Sequence, residues 1–140
     1  MRSFKIEKDF MVDEFRCVIV GQSLGHRCGY IAIPKDNELY GKDYDNIDVS
    51  VHGGLTYAEY SENSYPLETE EQVYSLGFDC AHCGDSKDVE LIKSFGEEND
   101  EVQMLLEMEA KYPMRGTVRT VEYVENELID VVSQIKKGEF

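Results

Sequence analysis

Up to about residue 80 the apolar positions come in short β-branched runs or in strict alternation, and beyond about residue 87 they recur at three- and four-residue steps. These are the signatures of strands and of helices. Residues 15–20 form a β-branched run closed by the turn signal Gly21-Gln22-Ser23-Leu24-Gly25. A second strand over residues 28–33 stops at Pro34, which has no N–H to donate to a ladder. Residues 35–46 are polar and turn-rich. Ile47-Asp48-Val49-Ser50-Val51 then alternates as a half-buried strand does, Gly53-Gly54 breaks it, and Leu55-Thr56-Tyr57 continues it beyond a bulge. After a loop around residues 62–71, residues 73–78 read as the last strand.

The helical part opens with Val89, Ile92 and Phe95, ended by Gly96. Asn99 is placed to cap a second helix, with Asp100 and Glu101 in its first turn and Val102, Leu105 and Leu106 as its apolar stripe up to Pro113. Val121, Val124, Leu128, Val132 and Ile135 define the last helix, and Lys136-Lys137 suit its C-terminus. Strands over about 15–80 followed by helices over about 87–137, without alternation, predict one α+β domain over residues 1–140. Its sheet is mostly antiparallel and is covered by the C-terminal helices.

Composition narrows the function classes. The chain is 41% hydrophobic with nine Tyr and six Phe, enough for a packed core, and carries a formal net charge of −15. That charge disfavours nucleic acid and anionic membranes, which are bound through Lys and Arg. It suits a solvated surface, a basic partner or a nucleic-acid mimic. No run of about 18 apolar residues is present to span a membrane. The opening MRSFKIEKDF lacks the apolar stretch of a secretory signal, so a cytoplasmic location is expected. In that setting Cys17, Cys28, Cys80 and Cys83 are expected to be thiols or metal ligands, with Cys17 a buried inert thiol.

All three histidines fall in glycine-bearing segments: Gly25-His26-Arg27-Cys28-Gly29-Tyr30, Val51-His52-Gly53-Gly54-Leu55-Thr56 and Gly77-Phe78-Asp79-Cys80-Ala81-His82-Cys83-Gly84-Asp85. Cys80-x-x-Cys83 is half of a zinc pattern, and His26-x-Cys28 would be the other half. His52, Asp79, His82 and Asp85 have the mixed nitrogen and oxygen character of a catalytic metal centre. The same side chains also serve as hydrogen-bonding groups of tight turns. A Cys80 nucleophile with His52 or His82 as base has no supporting spacing. Neither a nucleophile elbow nor a phosphate-cradling Walker loop occurs. Two of the five arginines lie in Arg115-Gly116-Thr117-Val118-Arg119-Thr120, where the last helix is expected to begin. Cations at a helix N-terminus invite an anion, so Arg115, Arg119 and Thr117 are candidate phosphate ligands, unless the arginines pair with some of the 29 carboxylates.

The segments His26-Arg27-Cys28-Gly29-Tyr30-Ile31, Leu39-Tyr40-Gly41-Lys42-Asp43-Tyr44-Asp45, Val51-His52-Gly53-Gly54-Leu55-Thr56-Tyr57 and Gly77-Phe78-Asp79-Cys80-Ala81-His82, with Arg119-Thr120-Val121-Glu122-Tyr123-Val124, resemble a family of small proteins of phages and prophages of Gram-positive hosts. The chain looks like the Thoeris anti-defence proteins among them. That resemblance implies a small α+β homo-oligomer, dimer or higher, acting in the cytoplasm of an infected bacterium. It would sequester a cyclic ADP-ribose-like signal made by a TIR enzyme, without cleaving it and without a cofactor. Arg115 and Arg119, one helical turn apart, would hold phosphates; Phe78 or Tyr30 would stack on adenine; Thr117 and His82 would complete the site. The chain departs from the resembled pattern in having Cys83 where a small residue usually follows the histidine, and Val73-Tyr74-Ser75-Leu76 where tryptophans often stand. Two other readings remain: a metal-dependent nucleotide hydrolase using His52, Asp79, His82 and Asp85, and an acidic inhibitor that binds a host protein directly.

Overall fold

A computed structural model describes residues 2–61, 65–67, 69 and 71–140. Residues 62–64, 68 and 70 of the loop expected over 62–71 lie outside the described residues. The strands are β1 (Phe4–Val12), β2 (Phe15–Gln22), β3 (Arg27–Ile33), β4 (Tyr57–Ser61), β5 (Val73–Asp79), β6 (Asp85–Ser86) and β7 (Thr117–Val118). The helices are α1 (Val89–Lys93), α2 (Asp100–Lys111) and α3 (Val121–Lys136). Strands β1-β2-β3-β5-β4 form one sheet in that order, antiparallel throughout, and β6 pairs with β7 in parallel. The expected α+β architecture is therefore present: an antiparallel sheet from the N-terminal half, packed by C-terminal helices.

Cys17, Ile19, Ile31, Leu76 and Phe78 point to one face of the sheet, where Val124, Leu128, Val131, Val132 and Ile135 of α3 close the main core. Gly29 makes this possible, because a Cβ there would stand 2.7 Å from the Phe78 ring and 3.1 Å from Val124. On the opposite face Val18, Val20, Cys28 and Tyr30 pack with Leu67. Asn99 caps α2 by accepting from the N–H of Glu101 and Val102, and Thr120 caps α3 by accepting from that of Tyr123.

Three expectations are corrected. The first strand, β1, precedes the region where strands were expected. Its charged residues hide an alternation that changes phase at a bulge between Ile6 and Lys8. Phe4 and Ile6 pack on one side of the sheet, and Phe10 and Val12 on the other. Residues 47–51 are not a strand of the sheet. Ile47 and Val49 are buried as the alternation implies, but the backbone runs along α3: Ser50 N–H donates to Gln134 Oε1 and Ser50 C=O accepts from Gln134 Nε2, both at 2.7 Å. Alternation reports which side chains are buried, and here a side-chain amide replaces the ladder partner. Finally, residues 115–120 do not begin the last helix. Thr117–Val118 is strand β7, Thr120 is the N-cap, and so Arg115 and Arg119 are not one helical turn apart.

Candidate functional site

The turn after β5 gathers much of the candidate chemistry. Asp85 N–H donates to His82 C=O at 3.0 Å, and His82 N–H donates to Asp85 Oδ2 at 3.0 Å, with Gly84 at φ 94° letting the chain reverse between them. The Asp85 carboxylate is thereby turned inward, where it is 3% exposed. It also receives His52 Nε2 at 2.8 Å on Oδ2 and Arg119 Nε at 2.8 Å on Oδ1. Burial alone would raise its pKa, but these donors outweigh it and hold the group down at about 2.

His52 passes the chain onward. Its Nδ1 lies 2.8 Å from Tyr123 Oη, while its backbone N–H donates to Glu127 Oε1 at 2.9 Å. An ionised Asp85 requires a proton on His52 Nε2, and in that tautomer Nδ1 accepts from the tyrosine. Burial raises the Tyr123 pKa, which keeps the phenol protonated as that donor. The Arg119 guanidinium lies over the Tyr123 ring, 4.9 Å from its centroid. The result is a continuous Tyr123–His52–Asp85–Arg119 chain built from the loop before β4, the turn after β5, and α3 with its lead-in. Behind it, Arg27 donates to Glu7 at 2.9 and 3.2 Å, pairs with Asp88 at 2.9 Å and donates to Arg119 C=O at 3.2 Å. This buried group ties β1, β3 and the cap of α1 to the start of α3.

His82 leans on Gly53, whose absent Cβ would stand 2.3 Å from Nε2. That nitrogen lies 3.2 Å from Asp79 Oδ1 but outside hydrogen-bonding alignment, and it is buried without a hydrogen-bond partner. Asp79 instead accepts from Thr56 Oγ1 and from Ala81 N–H, both at 3.1 Å. His52, Asp79, His82 and Asp85 are thus neighbours, but His52 and Asp85 are engaged with each other, Tyr123 and Arg119, and Asp79 with Thr56 and the Ala81 N–H. Among the described residues no three His, Cys, Asp or Glu side chains converge as a metal ion would need. The Cys80-x-x-Cys83 pair is likewise split, Cys80 buried and Cys83 exposed. Burial pushes the Cys80 thiol up to about 12, away from a thiolate ligand or nucleophile.

The remaining candidates are dispersed. Arg115, just before β7, and Thr117, its first residue, are exposed. Phe78 is 2% exposed with its ring under α3, whereas the Tyr30 ring lies on the other face of the sheet. Tyr30 belongs to a feature the sequence did not reveal. The register pairs it with Gly77, which also pairs with Tyr57, and the three-tyrosine cluster closes with Tyr65 at ring separations of 5.2 and 5.3 Å. With Gln22, Asp79 and His26 these rings line a cavity of about 350 Å³. A smaller one of about 90 Å³, reached by Asp85 and Met114, shares His26 and Ala81 with it as a common wall. Burial lowers the His26 pKa, so this wall is neutral imidazole. Only sheet register and loop packing could have announced Tyr57 and Tyr65, and Tyr123 is separated by 71 residues from its contact His52. No family model, curated protein or solved structure matches the chain, so these contacts are what a functional reading rests on.

Proposed function

We propose that the chain binds and sequesters a small cyclic nucleotide signal of the cyclic ADP-ribose kind without cleaving it, acting as an anti-defence protein in the cytoplasm of an infected bacterium. The observation that carries the reading is the adjoining of a tyrosine-walled cavity to a buried carboxylate that presents Arg119. A cavity of this size takes a nucleoside-sized group, and tyrosine rings with a few polar neighbours suit a planar base. Arg119 is held by one nitrogen and by a ring face, leaving its terminal N–H groups for a phosphate. Arg115 and Thr117, exposed four and two positions earlier in the chain, would add a charge and a hydroxyl. Asp85 is occupied by three donors and Cys80 is a neutral thiol, so neither is poised as a nucleophile, which favours capture over turnover.

The test is incubation with a panel of cyclic nucleotides, removal of free ligand, heat denaturation, and mass analysis of what is released. An intact nucleotide is expected, and Arg115→Ala should weaken its binding about 10-fold, the worth of one charge-assisted hydrogen bond. No retained nucleotide, with a host protein co-purifying instead, would establish direct inhibition through the acidic surface. A second reading, turnover of a nucleotide, is favoured by the Tyr123–His52–Asp85 hydrogen-bond chain, which has the form of an acid–base relay. A cleaved product that disappears with Tyr123→Phe would decide for it.

A further inference from the structure

We propose that the corner where β4 meets the loop of residues 40–43 is a binding site for a methylated ammonium group. Three tyrosines meet there. Tyr60 and Tyr74 are cross-strand partners of β4 and β5, with ring centroids 4.7 Å apart and planes at 55°. Tyr40 stands 5.6 Å from each of them, at 72° to Tyr60 and 56° to Tyr74. Rings so inclined make the walls of a corner rather than a stack. Tyr74 is buried and its hydroxyl donates to Lys42 C=O, whereas Tyr60 is 50% exposed on the edge strand of the sheet. The Tyr60 hydroxyl rests against Gly41, where a Cβ would stand 2.6 Å from it, so the loop closes directly onto the ring. Tyr60 and Tyr74, with Gly41, Asp43, Ala58 and Glu59, line a cavity of about 450 Å³. Tyr40, Ala58 and Tyr74 belong to the α3 side of the sheet, so this cavity is separate from the one walled by Tyr30, Tyr57 and Tyr65 on the other side.

The two carboxylates of the cavity are uncommitted. Among the described residues neither Asp43 nor Glu59 has an ion pair. Asp43 stands at the N-cap of a 3-10 turn over Tyr44–Asn46, a place where aspartate usually accepts from the backbone, yet its side chain makes no capping bond. Lys42, next to it in the chain, carries its ammonium away over the Phe140 ring, 5.8 Å from the centroid. The corner therefore offers negative charge and aromatic faces together, and both attract a cation. Ring faces are poor acceptors for the three N–H groups of a primary ammonium, which is also strongly hydrated. A methylated ammonium is weakly hydrated and packs its methyl groups on the rings while the carboxylates balance its charge. Two sources carry that group: a choline-type small molecule and a methylated lysine side chain.

Titration of the full chain with tetramethylammonium chloride at fixed ionic strength, followed by amide NMR, tests the site. Saturable shifts are expected at Gly41, Asp43, Glu59 and Tyr60, with methylammonium binding several-fold more weakly and neutral tert-butanol leaving these signals in place. Tyr60→Leu should weaken binding about 5-fold, while Tyr60→Phe, which keeps the ring, should retain it. Asp43→Asn should weaken it by a smaller factor that shrinks further as salt is added. Both side chains are exposed, and circular dichroism confirms that each variant keeps its fold. Choline and a trimethyl-lysine peptide are then compared: tighter binding of the peptide assigns the group to a protein chain, and equal or tighter binding of choline assigns it to a small molecule. Either result supports the site. Shifts that spread over the acidic surface without saturating, equal affinity for methylammonium, or a Tyr60→Leu chain that binds as well as the parent would each overturn the proposal. Nucleotide capture involves the other side of the sheet and should be unchanged in these variants, so either reading fails alone.

Discussion

Asp85 shows how one residue couples the fold to the candidate site. Its carboxyl is held at about 2 against an ordinary value of 3.8 by donors from His52, Arg119 and the His82 backbone. A depressed carboxyl pKa contributes stability above its unfolded value, and that contribution is lost as pH falls through the folded one. The shift corresponds to about 2 kcal/mol, expected to disappear between about pH 4 and pH 2. Asp85→Asn should therefore lose about that much at neutral pH and flatten the acid limb. Urea midpoints across that range measure it, and parallel slopes in the two proteins would remove Asp85 from the account. Gly53→Ala is a second case. Its φ of 68° and the His82 ring both exclude a Cβ, so at least about 1 kcal/mol should be lost, together with a displaced His82 resonance by NMR.

Among the elements, α3 does more than cover the sheet. Its apolar stripe closes the core, and Leu128→Ala should cost about 2–5 kcal/mol in chemical denaturation. Its polar flank holds the extended segment before His52 through Gln134 and Glu127. Gln134→Ala leaves Ser50 with two unpaired backbone groups at an exposed place, where water repairs part of the loss. A destabilisation of about 1 kcal/mol is expected, with faster amide exchange confined to residues 47–52. The bulge in β1 works with the same joint. By shifting phase at Glu7 it re-aims the strand, and the Glu7 carboxylate meets Arg27. Removing the cation with Arg27→Ala leaves two partly buried carboxylates facing each other, at a cost of about 3–5 kcal/mol.

At the scale of the whole molecule the acidic surface sets what can approach. At about 50 mM salt, where phosphate contacts are strong, the chain should leave duplex DNA unshifted in a gel, because too few cations are available to displace counterions. Among the described residues no helix is long and apolar enough to cross a membrane. Against that background the arginines matter by position rather than number. Arg16 and Arg27 are taken up by Asp9, Glu7 and Asp88, Arg119 is held by Asp85, and Arg115 makes no ion pair among the described residues.

The division between chain and fold follows from the range of the forces involved. Periodicity, caps and turn residues act over a few positions, and they sufficed for β2, β3, β5 and the existence of all three helices, for Asn99 as a cap, and for most of the buried stripe of α3. The buried faces of α1 and α2 escaped them, since Leu91 replaces Phe95 and only Val102 of the expected stripe is buried. They were blind to β1, where charges and a bulge disguise the alternation. They also misjudged residues 47–51, where a side chain 84 positions away supplies the hydrogen bonds. Candidate residues were visible as types: His52, Asp85 and Arg119 stood out for their chemistry. That Asp85 would bind both of the others, with Tyr123 completing the chain, depends on three segments meeting at one end of the sheet. Likewise Tyr30, Tyr57 and Tyr65 become one wall through strand register and loop packing alone. Local sequence sets which groups a segment carries; long-range packing sets which of them touch, because a hydrogen bond or a ring contact exists only where distant backbone has already been placed.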